Sequence, residues 1–422
     1  MKAKLIVSSA VLCVVIFNAS LASSQTRLKA LYDRKQFFEL RDVLKELDSN
    51  DQGEVLFYRA VVSNKFHRPT ESINFIQRYL EATSEQDPLV KESYELLADN
   101  YIKTYQYQKA AGVYQTILTR FGPTLGAKKK SDIQNSARLW SALGNVPAQS
   151  ITRHGGSTIQ TKQNDLGLTE WPVELNGQMH SFIFDTGANL STVIRSYAVK
   201  LGFKIINTPI KVGSLTDTQA TARLGVAPEM KIGEITINNA VFLVFEDKDL
   251  YIAPAKFQIN AIIGFPIIEA LKEISFHKNG EVLLPAEPGA GGEQNMFLDG
   301  LTPGISGVFR GRRLTFTFDS GADSTLFYPR FFKSNEAEIR RKYKLQPRRL
   351  GGAGGIKPVI AYRVTDLVIN FSGKDARFTS ADVLTRGVND EARHYDGNLG
   401  QDLIKQFDKM TINFDAMSIV FE

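Results

Sequence analysis

Two acids stand at matching places in this chain of 422 residues. Asp185 lies in Ser-Phe-Ile-Phe-Asp-Thr-Gly-Ala-Asn (181–189), and Asp319 in Leu-Thr-Phe-Thr-Phe-Asp-Ser-Gly-Ala-Asp (314–323). Each closes a short apolar run, the pattern of a buried strand. A lone carboxylate beside such a strand is costly unless it is paired or hydrogen-bonded. Two carboxyls brought within a few ångströms of each other can share one proton, because like charges that close cannot both ionise. A pair of this kind can hold a water. The ionised member takes the water's proton as it attacks a peptide carbonyl, and the protonated member donates to the carbonyl oxygen. That chemistry needs no metal, no cofactor and no covalent intermediate.

The two carboxyls must come from equivalent loops that meet about an approximate twofold axis. A tandem duplication supplies such loops, and the chain carries its signature. Asp185 and Asp319 are 134 residues apart. At the same offset Gly177 matches Gly311, Phe182 matches Phe316, Phe184 matches Phe318, Gly187 matches Gly321 and Ala188 matches Ala322. Thr186 faces Ser320, a hydroxyl for a hydroxyl. Farther on, Ile262-Ile263-Gly264 answers Asn398-Leu399-Gly400, with the offset grown by two. "EISFHKNGEVLL" then mirrors "TINFDAMSIVFE", two short strands around a turn. A turn alone explains Asp and Gly. It does not explain the flanking phenylalanines, the paired hydroxyls or the later glycine.

On these motifs, residues 166–422 resemble the aspartic proteases, with two lobes in one chain. The Ala after each Asp-hydroxyl-Gly is closer to retropepsin-like enzymes than to pepsins. The resemblance implies that Asp185 and Asp319 are the catalytic pair. It implies that Thr186 and Ser320 brace the loops across the lobe interface, and that Gly187 and Gly321 let backbone approach the carboxylates and substrate. Ala188, Asn189, Ala322 and Asp323 are then the substrate-binding positions. Ile263-Gly264 and Leu399-Gly400 would lie in strands crossing behind the catalytic loops. Two departures stand out. Asn398 replaces an apolar residue of the second crossing element, and Asn189 stands where the other copy has Asp323. Residues 212–225 and 349–362 occupy the places of mobile flaps, or of ordinary hairpins.

The remaining chain sets the context. Lys2 and Lys4 precede an apolar run from Leu5 to Phe17, followed by Ser20-Leu21-Ala22; this predicts a secretory signal peptide over residues 1–22. Cys13 is the only cysteine and lies inside that run, so the mature chain is expected to have neither disulfides nor thiol chemistry. Loss of Lys2 and Lys4 takes the formal charge from +6 to +4. That mild excess, with no nucleic-acid motif beside the basic stretch 340–349, points away from a nucleic-acid partner. No later run is long enough for a membrane span. The expected location is the periplasm or the exterior of a bacterial cell.

Residues 26–148 show apolar residues at three- and four-residue spacing, the mark of helices. Leu97, Ala98, Tyr101, Ala110 and Tyr114 fall where tetratricopeptide repeats place their packing residues, and residues 137–147 resemble the first helix of another such unit. A stack of helical hairpins similar to those repeats is expected, serving either as a surface for a protein partner or as a cap on the next domain. Residues 149–165 read as a polar linker. The predicted architecture is an all-α helical-hairpin domain, then an all-β bilobal fold of lobes 166–288 and 289–422, with a Pro- and Gly-rich seam at 286–294.

Other chemistries find little support. The histidines (His67, His154, His180, His277, His394) are scattered, with no His-Glu-x-x-His helix. No Gly-x-Ser-x-Gly elbow is present, and "GGAGGIKP" lacks the ending of a phosphate loop. Asp396, beside Gly397, reads as a turn. The function expected is therefore an exported aspartic endopeptidase acting on peptide or protein substrates. The rival is an inactive or latent protein of the same fold that binds peptide, with the helical domain as a docking arm.

Overall fold

The computed structural model describes residues 26–47, 52–213, 219–352, 355–388 and 391–422. The expected signal peptide, with Cys13, lies outside the described residues. So do the tips of both flap candidates, 214–218 and 353–354. The chain divides into two compact units, one ending at Asn100 and the other starting at Tyr101.

The first unit is helical. After a helical stretch over 26–33 come α1 (Phe37–Glu46), α2 (Glu54–Lys65), α3 (Pro69–Ala82) and the start of α4 (Leu89–Lys103). The α1 stripe of Phe37, Phe38, Leu40, Val43 and Leu44 is buried, with Glu39 in the first turn and Lys45 in the last, each complementing the helix dipole. Pro69 opens α3 at a position where no N–H is needed. One turn design closes three helices. Lys35, His67 and Tyr105 all adopt left-handed φ, at 52°, 58° and 56°. The next residue's N–H then reaches back five places: Gln36 to Leu31 O, Arg68 to Ser63 O and Gln106 to Tyr101 O, at 2.7–2.9 Å. These bonds satisfy carbonyls that a helix end would otherwise leave open.

The second unit contains α5 (Tyr107–Phe121), α6 (Ala127–Ala142) and the β-region. The expected division near residue 148 is not where the compact units part. Tyr107, Ala110, Ala111, Trp140 and Leu143 share one apolar cluster with Ile210, Leu224, Val241 and Leu243 of the sheet. The Asn135 side chain exchanges two hydrogen bonds with the backbone of Lys211 (2.8 and 2.9 Å). It thereby occupies the exposed polar groups of an edge strand.

The β-region holds two large sheets and a smaller one that joins them. The nine-stranded sheet includes Thr169–Leu175, Gln178–Phe184, Ser191–Ile194, Lys204–Gly213, Gln219–Ile232, Ile235–Phe245 and Ala261–Ile263. The eight-stranded sheet includes Thr302–Phe309, Arg312–Phe318, Leu326–Phe327, Leu345–Gly352, Gly355–Phe371, Lys374–Leu384 and Gly397–Leu399. Both repeat one local topology. Gln178–Phe184 runs parallel to Ala261–Ile263, which pairs antiparallel with Ser191–Ile194. Arg312–Phe318 runs parallel to Gly397–Leu399, which pairs antiparallel with Leu326–Phe327. Each flap candidate is a long antiparallel hairpin, 204–213 with 219–232 and 345–352 with 355–371.

The third sheet has five strands in the order Ser157–Gln160, Glu281–Leu284, Glu273–His277, Lys409–Asn413, Ser418–Phe421. Its middle pairing, Glu273 with Asn413 through His277 with Lys409, joins the strand pairs that follow the two large sheets. The segment expected as a linker is built into these sheets. Ser150–Arg153 pairs with Ile235–Asn238, Ser157–Gln160 with Glu281–Leu284, and Lys162–Gln163 with Thr169–Glu170. Arg153 anchors it further, donating to the carbonyl oxygens of Leu271 (2.5 Å), Ala270 and Pro285 (both 3.3 Å). Edge strands keep polar side chains on their open face, which is why this one imitates a loop in sequence.

Candidate active site

The two acids meet at strand ends, one from each of the large sheets. Asp185 ends Gln178–Phe184, and its N–H bonds to Ile263 O at 3.1 Å. Asp319 ends Arg312–Phe318, and its N–H bonds to Leu399 O at 2.9 Å. The phenylalanines before each acid are buried, Phe184 stacked on Trp171 with centroids 4.4 Å apart. This packing fixes the strand ends and hence the direction of the acids.

Each turn folds back on its own carboxyl. Gly187 N–H donates to Asp185 Oδ1 at 2.8 Å, and Gly321 N–H to Asp319 Oδ1 at 2.9 Å. Each glycine also packs against the other acid. A Cβ on Gly187 would lie 2.6 Å from the Asp319 carboxyl carbon, and one on Gly321 would lie 2.5 Å from that of Asp185. No real Cβ sits so close, so this approach requires glycine.

The hydroxyls lock the loops together. Thr186 Oγ1 donates to Phe318 O (2.9 Å) and accepts from Ser320 N–H (2.9 Å). Ser320 Oγ donates to Phe184 O (3.2 Å) and accepts from Thr186 N–H (3.0 Å). All four bonds run between the halves, and both side chains are buried. Buried polar groups with every bond made rigidify what they join.

Behind the loops the likeness continues. Gly264 N–H donates to Ser191 Oγ at 2.9 Å and Gly400 N–H to Thr325 Oγ1 at 3.2 Å. Ala188 O accepts from Phe265 N–H at 2.8 Å, and Ala322 O from Gln401 N–H at 2.9 Å. A Cβ on Gly264 or Gly400 would strike the backbone of Leu190–Ser191 or Ser324. Ser191 and Thr325 went unremarked in the sequence, although they stand at the same 134-residue offset as the acids.

The halves differ at the edges of the site. Asn189 is exposed and accepts a hydrogen bond from Thr302 Oγ1 at 3.0 Å, a reach into the other half. Asp323 is exposed and accepts from its neighbour Ser324 Oγ. Asn398 Nδ2 donates to Asp319 Oδ2 at 3.1 Å. Gln401 Nε2 donates to Ser320 O at 3.0 Å, a further tie of the second loop to its backing strand.

The electrostatics follow from burial and from the second acid. Burial pushes the Asp185 carboxyl well above the usual carboxylate range; the Asp319 charge and a hydrogen bond between the two carboxyls push it further. The N–H groups of Gly187 and Ala188 oppose the shift without cancelling it. The pair therefore retains a proton where isolated carboxylic acids have lost theirs.

Asp396 lies in a bend before Gly397, as its Asp-Gly setting suggests, and is also a buried anchor. It is buried, accepts from Thr315 N–H at 2.9 Å, and lies 3.7 Å from both Arg312 and Arg330. It ties the strand of Asp319 to the loop before Gly397, away from the paired acids.

Residues 171–267 match the family model described as aspartyl protease. The match begins at Trp171, spans Asp185 and Gly264, and supports an aspartic-protease-type domain there. Asp319 lies beyond it. No curated protein matches the chain.

Proposed function

We propose that the protein is an exported aspartic endopeptidase that hydrolyses peptide bonds with a water activated by Asp185 and Asp319. One observation carries the reading: two Asp-hydroxyl-Gly loops, 134 residues apart, are joined by four reciprocal hydrogen bonds, with each glycine seated on the opposite carboxyl. A structural turn has no use for such an arrangement. A proton-sharing pair does, because it fixes two carboxyls side by side before substrate arrives.

In the proposed step Asp185 carries the pair's proton and Asp319 the charge. Asp319 accepts a proton from water as the water oxygen bonds to the scissile carbonyl carbon. Asp185 donates its proton to the carbonyl oxygen, giving a neutral diol. The proton on Asp319 then passes to the leaving nitrogen while a diol hydroxyl returns a proton to Asp185, and the C–N bond breaks to give a carboxylic acid and an amine with the pair restored. Ala188, Asn189, Ala322 and Asp323 border the substrate backbone in this reading.

The rest of the reading is also proposed. The two large sheets are duplicated lobes. The helical hairpins are tetratricopeptide-like, with their recurring turn as the support, and they offer a surface to a protein partner. The leader directs the chain out of the cytoplasm, which cell fractionation with N-terminal sequencing of the mature chain tests.

The test of activity is digestion of a mixed peptide library from acidic to neutral pH. The wild type is expected to cut it, and Asp185→Asn and Asp319→Asn each to abolish cutting while remaining folded. Cutting by either variant at the wild-type rate sinks the assignment.

A further inference from the structure

The repeated loops differ where their backing strands pass the acids. In the first half Ile262 lies beside Ile183 across the parallel strands. At the matching register of the second half, Asn398 lies beside Thr317. An apolar pair has become a polar one. Thr317 Oγ1 donates to Asn398 Oδ1 at 2.6 Å, which turns the amide so that Nδ2 donates to Asp319 Oδ2 at 3.1 Å. The reverse orientation would set the amide oxygen against a carboxylate oxygen, with lone pairs facing. Asp319 thus accepts from Gly321 N–H on one oxygen and from Asn398 on the other. Ile262, in the corresponding place behind Asp185, has no donor to offer.

We infer that Asn398, oriented by Thr317, is a positioning residue that makes the two acids unequal, holding Asp319 as the charged member and general base and leaving the proton to Asp185. The inference rests on the endopeptidase reading and assigns the roles within it. Asn398 donates to a carboxylate oxygen of Asp319, whereas the first half places the apolar Ile262 at that register. A donor on the outer oxygen stabilises the charged carboxylate and orients its remaining lone pairs. The groups facing Asp319 are Asp185 and Gly187 from the opposite loop, Leu399 and Asn398 from the backing strand, and Gly321 from its own turn. Of these, only Asp185 titrates.

The consequence is readable in pH. With the donor present, the pair takes up its second, inactivating proton at lower pH. Replacing Asn398 by the residue of the other half, Asn398→Ile, is expected to move the acid limb of kcat/KM upward by about one pH unit, from the loss of a charge-assisted hydrogen bond. Thr317→Val keeps the shape, frees the amide to rotate, and is expected to move the limb in the same direction by less. It also serves if Asn398→Ile fails to fold. A merely structural role would lower the rate at every pH and leave the limb in place. An unmoved limb in a folded variant overturns the inference.

A second measurement separates this inference from the reading beneath it. In the full chain labelled with carboxyl carbon-13 aspartate, the lower titration step of the pair is expected to rise by about one unit in Asn398→Ile. An unmoved step overturns the role of Asn398 even if the chain cuts nothing. Cutting that survives in Asp185→Asn overturns the endopeptidase reading instead.

Discussion

At the scale of single residues, the site depends on what is absent as much as on what is present. Gly187 and Gly321 leave room for the opposite carboxyl and nothing more. Gly321→Ala is therefore expected to push the loops apart, with a destabilisation of about 1–3 kcal/mol and a loss of cleavage larger than the loss of stability explains. Thermal melts and initial rates on one preparation check both. Asp185 gives a prediction of opposite sign for stability. Its carboxyl is held protonated above the ordinary carboxylate range, so across that window the folded chain binds more protons than the unfolded chain. Stability then falls as pH rises through the window. Asp185→Asn keeps an acceptor for Gly187 N–H and removes the like charge. It is expected to abolish cleavage while raising Tm at pH 7 by about 2 °C. Calorimetry of the variant and the wild type at pH 4 and pH 7 decides it, and a gain at pH 7 no larger than at pH 4 counts against the protonated carboxyl. The acids, hydroxyls and glycines were all legible in the sequence because each stands twice at the same 134-residue offset. Asn398 was legible only as an irregularity; its bond to Asp319 depends on a side-chain rotamer that no spacing encodes.

At the scale of elements, two strand ends and the loops they launch are held by one interlocking set of bonds. Thr186→Val removes a donor to Phe318 O and the acceptor of Ser320 N–H. It leaves a buried N–H unpaired and is expected to cost about 2 kcal/mol. Thr186→Ser, and Ser320→Thr in the other half, retain the hydroxyl and are expected to stay within about 0.5 kcal/mol of the wild type, the scale of a substitution that breaks no named interaction. Denaturant titrations followed by near-ultraviolet dichroism read these differences; equal losses in Thr186→Val and Thr186→Ser would deny the hydroxyl its part. The strands themselves announced their class through alternating or apolar runs. The helical turns did not. Lys35, His67 and Tyr105 take a left-handed conformation without glycine, so the signal that usually ends a helix is missing and only the backbone reveals the common design.

At the scale of the whole molecule, the unit from Tyr101 onward gathers more chain than composition suggests. Trp140 stacks on Tyr107 with centroids 5.4 Å apart, inside a cluster shared with the sheet. Trp140→Ala is expected to destabilise this unit by about 3 kcal/mol and to leave the pH profile of cleavage unchanged, because no residue of that cluster touches the acids. A melt followed by tryptophan fluorescence from Trp171, together with the rate profile, tests both halves of that statement. The five-stranded sheet supplies the other long-range constraint: Glu273–His277 against Lys409–Asn413 joins the strand pairs that follow the two large sheets through main-chain bonds.

The sequence by itself determined the pair of loops, the helical start and the β-rich remainder. It could do so because burial, turn chemistry and repetition leave marks at fixed spacing. Only the tertiary structure decided that residues 150–163 hold three short strands, that α5 and α6 pack on the sheet, that Asp396 is a buried anchor, and that Asn398 reaches one acid and has no counterpart at the other. Each of these depends on contacts between residues tens to hundreds of positions apart, and such contacts are selected by packing and by the need to pair buried polar groups, which local pattern does not record.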